Sequence, residues 1–409
     1  MINKLETLST KHKRMINYPE VKLKPGKEHS LRGFHPWVFS GAVASAEKTL
    51  SDGELVNVVA HDGKFLGTGH CGTGSIAVRI FSFNPLEDEK KFWLEKLKNA
   101  FELRKNLGFA DNPHTTIWRL VNAEGDGIPG LIIDVFGSTA VVQAHSIGIY
   151  DLLPLLVELL DEVMPGKISS VFNKSEEKLF AHSGTATTNT YLKGGAQETV
   201  CRENDLLFNV DWEQGQKTGF FIDQRENRTL LAKYSSEKKV LNTYCYSGAF
   251  SVYALAHGAA EVHSVDSSQR ALDLLEKNLV LNSLDGAKHV TIKSDVQEFL
   301  HIVENDFDLV VLDPPAFAKS LSARHRAVQA YKRLNETALQ KIKRGGLLFT
   351  FSCSQAVTPD LFFGAVMSAS ISARRQVRVL HRLHQPADHP VSVFHPEGEY
   401  LKGLVLEVE

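Results

Sequence analysis

The sequence predicts an α/β protein: a doubly wound, mostly parallel sheet, preceded by a small β-barrel and a central α+β unit. Three observations predict it. From about residue 237 strands and helices alternate; residues 19–85 hold short apolar strands punctuated by glycine; and residues 86–110 form one amphipathic helix between the two patterns. The chain has 409 residues, 43% hydrophobic and 23% charged, an ordinary globular composition with room for roughly two to four domains.

Residues 1–18 come first, polar and mildly basic, with Lys4, Lys11, Lys13 and Arg14 against Glu6, and are expected to be a flexible tail. They lack the apolar core of a secretory signal, and no later stretch approaches the roughly 18–20 apolar residues of a membrane helix. Cys71, Cys201, Cys245 and Cys353 lie far apart and form no C-x-x-C pair. That argues against a zinc site or a disulfide framework and for a reducing compartment. The expectation is a soluble, cytoplasmic protein with no metal and no membrane partner, a monomer or homodimer. The net charge of −2 excludes little, because charges can segregate on the surface.

Residues 19–90 are expected to fold as the β-barrel. Leu55–Val59 and Ile76–Phe81 alternate or are β-branched, with D-G and G-T-G turns between them. Within it Arg32, His35 and Trp37 accompany Lys22, Lys24 and Lys27, a mixture that suits RNA as well as it suits a solvated loop over a Trp-anchored core. Residues 91–204 form the central unit, opening on the 86–110 helix with Phe92, Leu97, Phe101 and Leu107 near one face. A strand, loop, strand, turn, strand run follows, then a helix at about 150–163 and strands to about 210.

Residues 205–409 carry the doubly wound sheet. "KKVLNTYCYSG", "EVHSVDSS", "VTIKSD", "FDLVVLDPP" and "GGLLFTFSCS" read as successive strands. The tail "QVRVLHRLHQ…YLKGLVLEVE" adds a terminal antiparallel hairpin. Ligands of such a sheet bind beyond the carboxyl ends of its strands. Those ends offer Asn242, Tyr244 and Gly248, then Asp266, Asp295 and Asp313-Pro314-Pro315. Any one acid could simply cap a helix; all four positions in order on one sheet point to a ligand. An acid placed for ribose hydroxyls without a G-x-G-x-x-G phosphate loop suggests a nucleoside cofactor lacking pyrophosphate, and S-adenosyl-L-methionine fits that description.

"VLNTYCYSGAFSVYAL", "VDSSQRALDLLEKNLVLN", "FDLVVLDPPAF" and "FTFSCS" resemble the Rossmann-like class I S-adenosylmethionine-dependent methyltransferases. "HPWVFSGAV", "AEGDGIPGLIIDVFG", "QKTGFFIDQRENR" and "ADHPV…HPEGEYLKG" extend the resemblance to the bacterial large-subunit ribosomal RNA cytosine-5 methyltransferases with an N-terminal PUA domain. The resemblance implies that Asn242, Tyr244 and Gly248 hold the methionine part of the cofactor, Asp266 the ribose and Asp295 the adenine amine. It further implies that Lys217, Thr218, Gly219, Phe220 and Phe221 close over the methionine side, Phe220 and Phe221 serving equally well as plain core.

Carbon 5 of cytosine is a poor nucleophile, and a thiolate adding to carbon 6 activates it. Cys353 stands where a strand neighbouring that of Asp313 ends, so Cys353 and Asp313 are the expected catalytic residues; Cys245 is expected to pack. Asp313 is expected at the cytosine edge, sharing a proton with it. Two-cysteine RNA cytosine-5 methyltransferases carry a second cysteine where this chain has Ala316, so the group that removes the carbon-5 proton is unassigned. Asp388 and His389 either line the pocket or form a structural turn. From 319 to 344, Lys319, Arg324, Arg326, Lys332, Arg333, Lys341, Lys343 and Arg344 face one acid, Glu336, a run expected to bind phosphate of large-subunit rRNA. Phe317 is expected to stack on the extruded base, with Pro314, Pro315, Lys319, Arg324 and His389 as further substrate contacts. Two other readings compete: methylation of an exocyclic amine or purine nitrogen, which needs no thiol, and a non-catalytic RNA-binding factor.

Overall fold

The computed structural model describes residues 18–184, 186–318 and 320–409. Apart from Tyr18, the expected tail lies outside the described residues, as does Lys319. The N-terminal unit comprises β1 (Glu20–Leu23), α1 (His29–Arg32), β2 (Trp37–Phe39), β3 (Val43–Ala46), β4 (Leu55–Val59), β5 (Phe65–Cys71) and β6 (Ile76–Ser82). Its strands form one six-stranded sheet, ordered β2-β6-β5-β4-β1-β3. Val21, Leu23, Val38, Val56, Val58, Val78 and Ile80 fill its interior.

The central unit follows: α2 (Glu89–Asn106), β7 (Ile117–Asn122), β8 (Leu131–Phe136), β9 (Thr139–Ala144), α3 (Ile147–Val163), β10 (Ser170–Asn173), α4 (Glu176–Ser183) and β11 (Thr190–Lys193). Its sheet runs β11-β10-β9-β8-β7. Asp88 starts α2 by accepting a hydrogen bond from the Lys91 amide at 2.9 Å. The buried stripe of α2 is Trp93, Leu97, Ala100 and Arg104, a turn apart in succession. The expected face is thus displaced: Phe92 and Phe101 only flank it and Leu107 is exposed, because the fully buried Trp93 and the Arg104–Asp126 ion pair set the helix rotation. Helix α4 stands where only strands were expected.

A hairpin of β12 (Val200–Glu203) and β13 (Leu206–Asn209) turns at Asn204 and Asp205, both with positive φ (50° and 67°), as tight hairpins require. The expected division at 204/205 cuts this turn. The hairpin is one unit, held by the Asn278 and Asn282 side chains, which accept from the Asn209 and Leu207 amides at 2.8 Å.

The C-terminal unit contains α5 (Arg225–Lys233), β14 (Lys239–Thr243), α6 (Ala249–Ala256), β15 (Glu261–Asp266), α7 (Gln269–Leu281), β16 (His289–Lys293), α8 (Val296–Ile302), β17 (Phe307–Leu312), α9 (Arg324–Leu339), β18 (Ile342–Ser352), α10 (Pro359–Ala373), β19 (Val377–Leu383) and β20 (Lys402–Val408). The sheet order is β16-β15-β14-β17-β18-β20-β19. Strands β14 to β18 pair in parallel, whereas β20 is antiparallel to both β18 and β19. The terminal hairpin is therefore wedged into the sheet, its last strand lying inside the one before it. Helices cover both faces, which is why strands such as Phe307–Leu312 are apolar almost throughout instead of alternating. The strand order reverses between β14 and β17, and a crevice opens beyond their carboxyl ends.

Buried hydrogen bonds to charged groups fasten the central unit to the C-terminal one. Arg225 donates to Asp388 Oδ2 at 2.9 Å, and the same oxygen accepts the Arg119 amide at 2.9 Å. Arg104 reaches the Asp388 carbonyl at 2.7 Å, and Thr218 Oγ1 donates to Asp134 Oδ2 at 2.6 Å. Arg104 and Asp388 are multiply hydrogen-bonded, whereas Arg225 bonds through one nitrogen alone, to Asp388 and the Ile117 carbonyl, and its other two nitrogens are buried without a hydrogen-bond partner.

Candidate active site

Beyond β14 and β17 lies a cavity of about 200 Å³. Its wall takes Lys217, Phe220, Phe221, Asp223 and Gln224 from the segment ahead of α5, Tyr244–Ser247 from the loop after β14, and Asp266 and Ser267 after β15. Asp313, Pro314 and Pro315 after β17 and Cys353 after β18 belong to the same wall, as do Arg228 of α5, Phe250 of α6 and Leu401. The backbone is strained here: Tyr244, Tyr246 and Lys217 have φ of 54°, 46° and 50°, conformations that bulky side chains rarely adopt outside functional sites.

At one end the Asp266 carboxylate is fixed by two amides, Tyr246 N to Oδ2 at 3.0 Å and Ser268 N to Oδ1 at 2.9 Å. Each oxygen keeps a further lone pair, so a vicinal diol can donate to it. Gly248 does not line the cavity. It adopts φ +73°, and a Cβ there would come within 2.3 Å of Leu275, so its absent side chain serves the packing of α6 on α7. Gly219 (φ +116°) likewise lets its loop pass the Asp211–Trp212 backbone. Asn242 is buried and donates to Ser251 Oγ at 2.8 Å, and Thr218 is buried against Asp134; neither lines the cavity. Asp295 Oδ1 caps α8, accepting the Gln297 and Glu298 amides. Asp295 is not a cavity residue, although its charge lies near enough to Tyr244 to help burial hold that phenol well above its ordinary value.

At the other end the register pairs Leu312 with Thr350, so Asp313 and Cys353 leave adjacent strands just beyond the same rung. Cys353 Sγ lies 3.9 Å from the Pro314 carbonyl. The flanking serines explain the S-C-S setting. Ser354 Oγ accepts the Ala318 amide at 3.2 Å and meets Tyr331 OH at 3.0 Å, while Lys402 Nζ donates to the Ser354 and Val357 carbonyls at 2.8 Å each. The loop bearing the thiol is thereby tied to the Asp313-Pro-Pro loop. Burial pushes the thiol up to about 11; Lys217 pulls it down, and Asp313 and Asp223 add to the rise. Burial and the neighbouring Asp223 raise Asp313 to about 7, which makes it a carboxyl able to give or take a proton near neutrality. Cys245 is buried, and its thiol is held well above the ordinary value chiefly by burial.

Several expected substrate residues stand elsewhere. His389 is buried, its Nδ1 3.0 Å from Asp388 Oδ1, within the seam of ion pairs and away from the cavity wall. Phe317 is half-buried, its ring 4.7 Å from that of Tyr331, and it does not line the cavity. Arg324 is exposed at the start of α9, with Arg326 and Arg333 exposed further along it. In the N-terminal unit Trp37 Nε1 donates to Glu124 Oε1 at 2.9 Å and its ring lies 4.3 Å from His395, so Trp37 anchors one unit to the others. One trio among the described residues, His35, His395 and Glu397, gathers metal-type ligands. The Trp37 amide donates to His35 Nδ1 at 3.1 Å, which leaves the proton on Nε2, facing Glu397 Oε1 at 3.6 Å. In that tautomer His35 Nε2 has no lone pair for a cation.

Asp223 and Gln224 escape a reading of the sequence, although they end the apolar run Gly219–Ile222. A polar pair closing such a run just ahead of the sheet is the available signal. Asp223 Oδ2 accepts from Lys217 Nζ at 2.8 Å and Tyr400 OH at 2.7 Å; Gln224 Nε2 donates to Asp313 Oδ2 at 3.0 Å.

A carboxylate free to take a diol, an aromatic wall of Phe220, Phe221, Tyr244 and Tyr246, and no phosphate loop fit a nucleoside sulfonium such as S-adenosylmethionine. The fold and this donor set define an S-adenosylmethionine-dependent methyltransferase joined to a PUA-like domain. The family models agree: residues 21–83 match the PUA-like domain and residues 179–402 the S-adenosylmethionine-dependent methyltransferases. Within that class, the chain belongs to the family of the ribosomal RNA large subunit methyltransferase I. It is 38% identical to that protein of Shewanella denitrificans over 396 residues, covering 95% of this chain and 99% of the relative. It is 39% identical to that of Shewanella amazonensis with the same coverage. The fold is also that of a Streptococcus mutans protein assigned as a SAM-dependent methyltransferase, with TM-score 0.81 and 23% identity over 95% of this chain and 99% of that one. A methyltransferase solved with SAH bound superimposes with TM-score 0.82, 23% identity and the same coverage.

Proposed function

We propose that this enzyme methylates carbon 5 of a cytosine in large-subunit ribosomal RNA through a covalent adduct of Cys353. The relatives named for a ribosomal RNA substrate support the RNA, and the PUA-like domain suits it. One observation carries the chemistry: a thiol and a carboxyl of near-neutral pKa leave adjacent strands into the wall of one cavity.

The bound cofactor supplies an electrophilic methyl group. Asp266 would hold its ribose hydroxyls, and Phe220 and Phe221 would shield the apolar side. With one proton between the pair, Asp313 takes it from the Cys353 thiol and passes it to ring nitrogen 3 as the sulfur bonds to carbon 6, so no anionic ring has to form in the buried cavity. The ring electrons then sit at carbon 5, which takes the methyl group. A water molecule takes the carbon-5 proton, the 5,6 double bond re-forms as the sulfur departs as thiolate, and nitrogen 3 returns its proton to Asp313, which restores the single proton shared with Cys353. Gln224 orients Asp313 throughout by its bond to Oδ2. Arg324 and its neighbours on α9 would hold phosphates.

The test is nucleoside mass spectrometry of rRNA from a strain lacking the gene. A missing 5-methylcytosine that returns with the wild-type gene, and does not return with Cys353→Ser, is the expected result. Full restoration by Cys353→Ser would sink the covalent mechanism, and loss of an N-methylated purine would move the reaction to a ring or exocyclic nitrogen.

A further inference from the structure

The carboxylate of Asp223 is held asymmetrically. Both its hydrogen bonds, from Lys217 Nζ and Tyr400 OH, fall on Oδ2. Oδ1 is buried and has no partner, yet Asp223 belongs to the same cavity wall as Asp313 and Cys353. A buried acceptor left unpaired costs about 1–3 kcal/mol, more when charged. The carboxylate cannot swing to relieve it without breaking both bonds to Oδ2.

We propose that Asp223 Oδ1 is the acceptor for the exocyclic amine of the target cytosine and so sets the preference for cytosine over uracil. The inference rests on the cytosine reading above and names a residue for the base edge. Cytosine presents an amine donor at position 4 beside an acceptor at nitrogen 3. The cavity offers the complement. Oδ1 of Asp223 only accepts, since Lys217 keeps that carboxyl ionised and well below the usual range despite its burial. Asp313, raised towards neutrality, is the neighbouring donor. Uracil reverses both groups, placing a carbonyl against Oδ1 and an N–H against Asp313.

The competing amino group is the α-ammonium that S-adenosylmethionine would bring. Oδ2 already carries the Lys217 ammonium, so a second cation on Oδ1 would stand beside a like charge. A neutral aromatic amine meets no such repulsion.

The experiment uses the full-length enzyme and an rRNA fragment spanning the modified position, located beforehand by mass spectrometry of nuclease fragments of the rRNA. Its target carries cytosine, uracil or 2-pyrimidinone, the analogue lacking the 4-amino group. Methyl transfer gives a cytosine-to-pyrimidinone ratio for wild type and for Asp223→Asn, which turns an amide donor towards the amine. The ratio needs no correction for the fraction of molecules folded. It should fall by about tenfold to a hundredfold in the variant, the worth of one hydrogen bond to a charged group, with transfer to uracil rising relative to cytosine. Should Asp223→Asn not fold, Asp223→Ser replaces it and the ratio should fall likewise.

An unchanged ratio alongside detectable 5-methylcytosine would overturn the role of Asp223 and leave the proposed reaction standing. An unchanged ratio with S-adenosylmethionine binding weakened in calorimetry would assign Oδ1 to the cofactor. If the wild-type product is an N-methylated base instead, it is the reaction that falls.

Discussion

Gln224 Nε2 donates to Asp313 Oδ2 at 3.0 Å, joining the segment ahead of α5 to the end of β17. Gln224 is itself oriented, since Asn227 Nδ2 donates to its Oε1 at 2.6 Å. This bond favours the charged form of Asp313 and works against the burial and the Asp223 charge that raise it.

A shift in the pH profile follows. In the proposed covalent mechanism the productive enzyme carries one proton between Asp313 and Cys353, whose values lie at about 7 and about 11. Below about 7 both are protonated, so kcat/KM rises as pH passes that point, whichever group holds the proton between them. Gln224→Ala removes a bond that lowers Asp313 and should carry the rising limb to higher pH. A limb unmoved by that substitution would show that Asp313 does not set it.

Lys217 is the cation that pulls the Cys353 thiol down against burial. Lys217→Ala should therefore raise the thiol further and also leave the Asp223 charge without its cation, which acts in the same direction. The rate of Cys353 alkylation by iodoacetamide, followed against pH by peptide mass spectrometry, should rise around 11 in wild type and only at higher pH in the variant. Equal profiles would remove Lys217 from the environment of the thiol.

Much of this site is legible in the sequence, for a definite reason. A doubly wound sheet announces itself by alternation, and its chemistry sits at strand ends, so Asp266, Asp313 and Cys353 can be found by counting elements. What sequence order conceals is which side chains the third dimension turns inwards. Gly248 lies beside the expected ligand, but its φ and the Leu275 contact explain it without one. Phe317 and His389 resemble substrate contacts on position alone; neither lines the cavity, the first packing against Tyr331 and the second bonded to Asp388. Asp223 and Gln224 come from outside the sheet, so counting strands cannot reach them. The same limit applies to Arg104, whose reach from α2 to the Asp388 carbonyl spans most of the chain.

Helix α9 presents Arg324, Arg326 and Arg333 to solvent directly after the Asp313-Pro-Pro loop. If they hold phosphates, Arg324→Ala with Arg326→Ala should weaken rRNA binding regardless of the target base. The slope of log affinity against log salt should shrink by about 0.7 to 0.9 for each phosphate that is no longer neutralised. Fluorescence anisotropy with an rRNA fragment, titrated across KCl concentrations, measures it. A lower affinity at unchanged slope would mean the helix acts through structure and not through charge.

The raised value of Asp313 carries a consequence for stability in the absence of RNA. An unfolded chain binds a proton at Asp with a pKa of about 3.9, whereas the folded one holds it to about 7. The folded state therefore binds more protons between those values, and the stability this group contributes is complete below about 4 and is lost as pH rises to about 7. At higher pH the protein keeps a buried carboxylate beside Asp223 that its fold disfavours. Asp313→Asn retains an oxygen for the Gln224 donor but never ionises, so it should escape that loss. Thermal unfolding should show the variant melting above wild type at pH 8, with the gap closing at pH 4, while its methyl transfer falls by orders of magnitude. That pairing of a more stable protein with a crippled enzyme is expected where function maintains an unfavourable charge. A variant no more stable than wild type at pH 8 would mean that the carboxylate is solvated after all, and that its near-neutral value cannot be used in the mechanism.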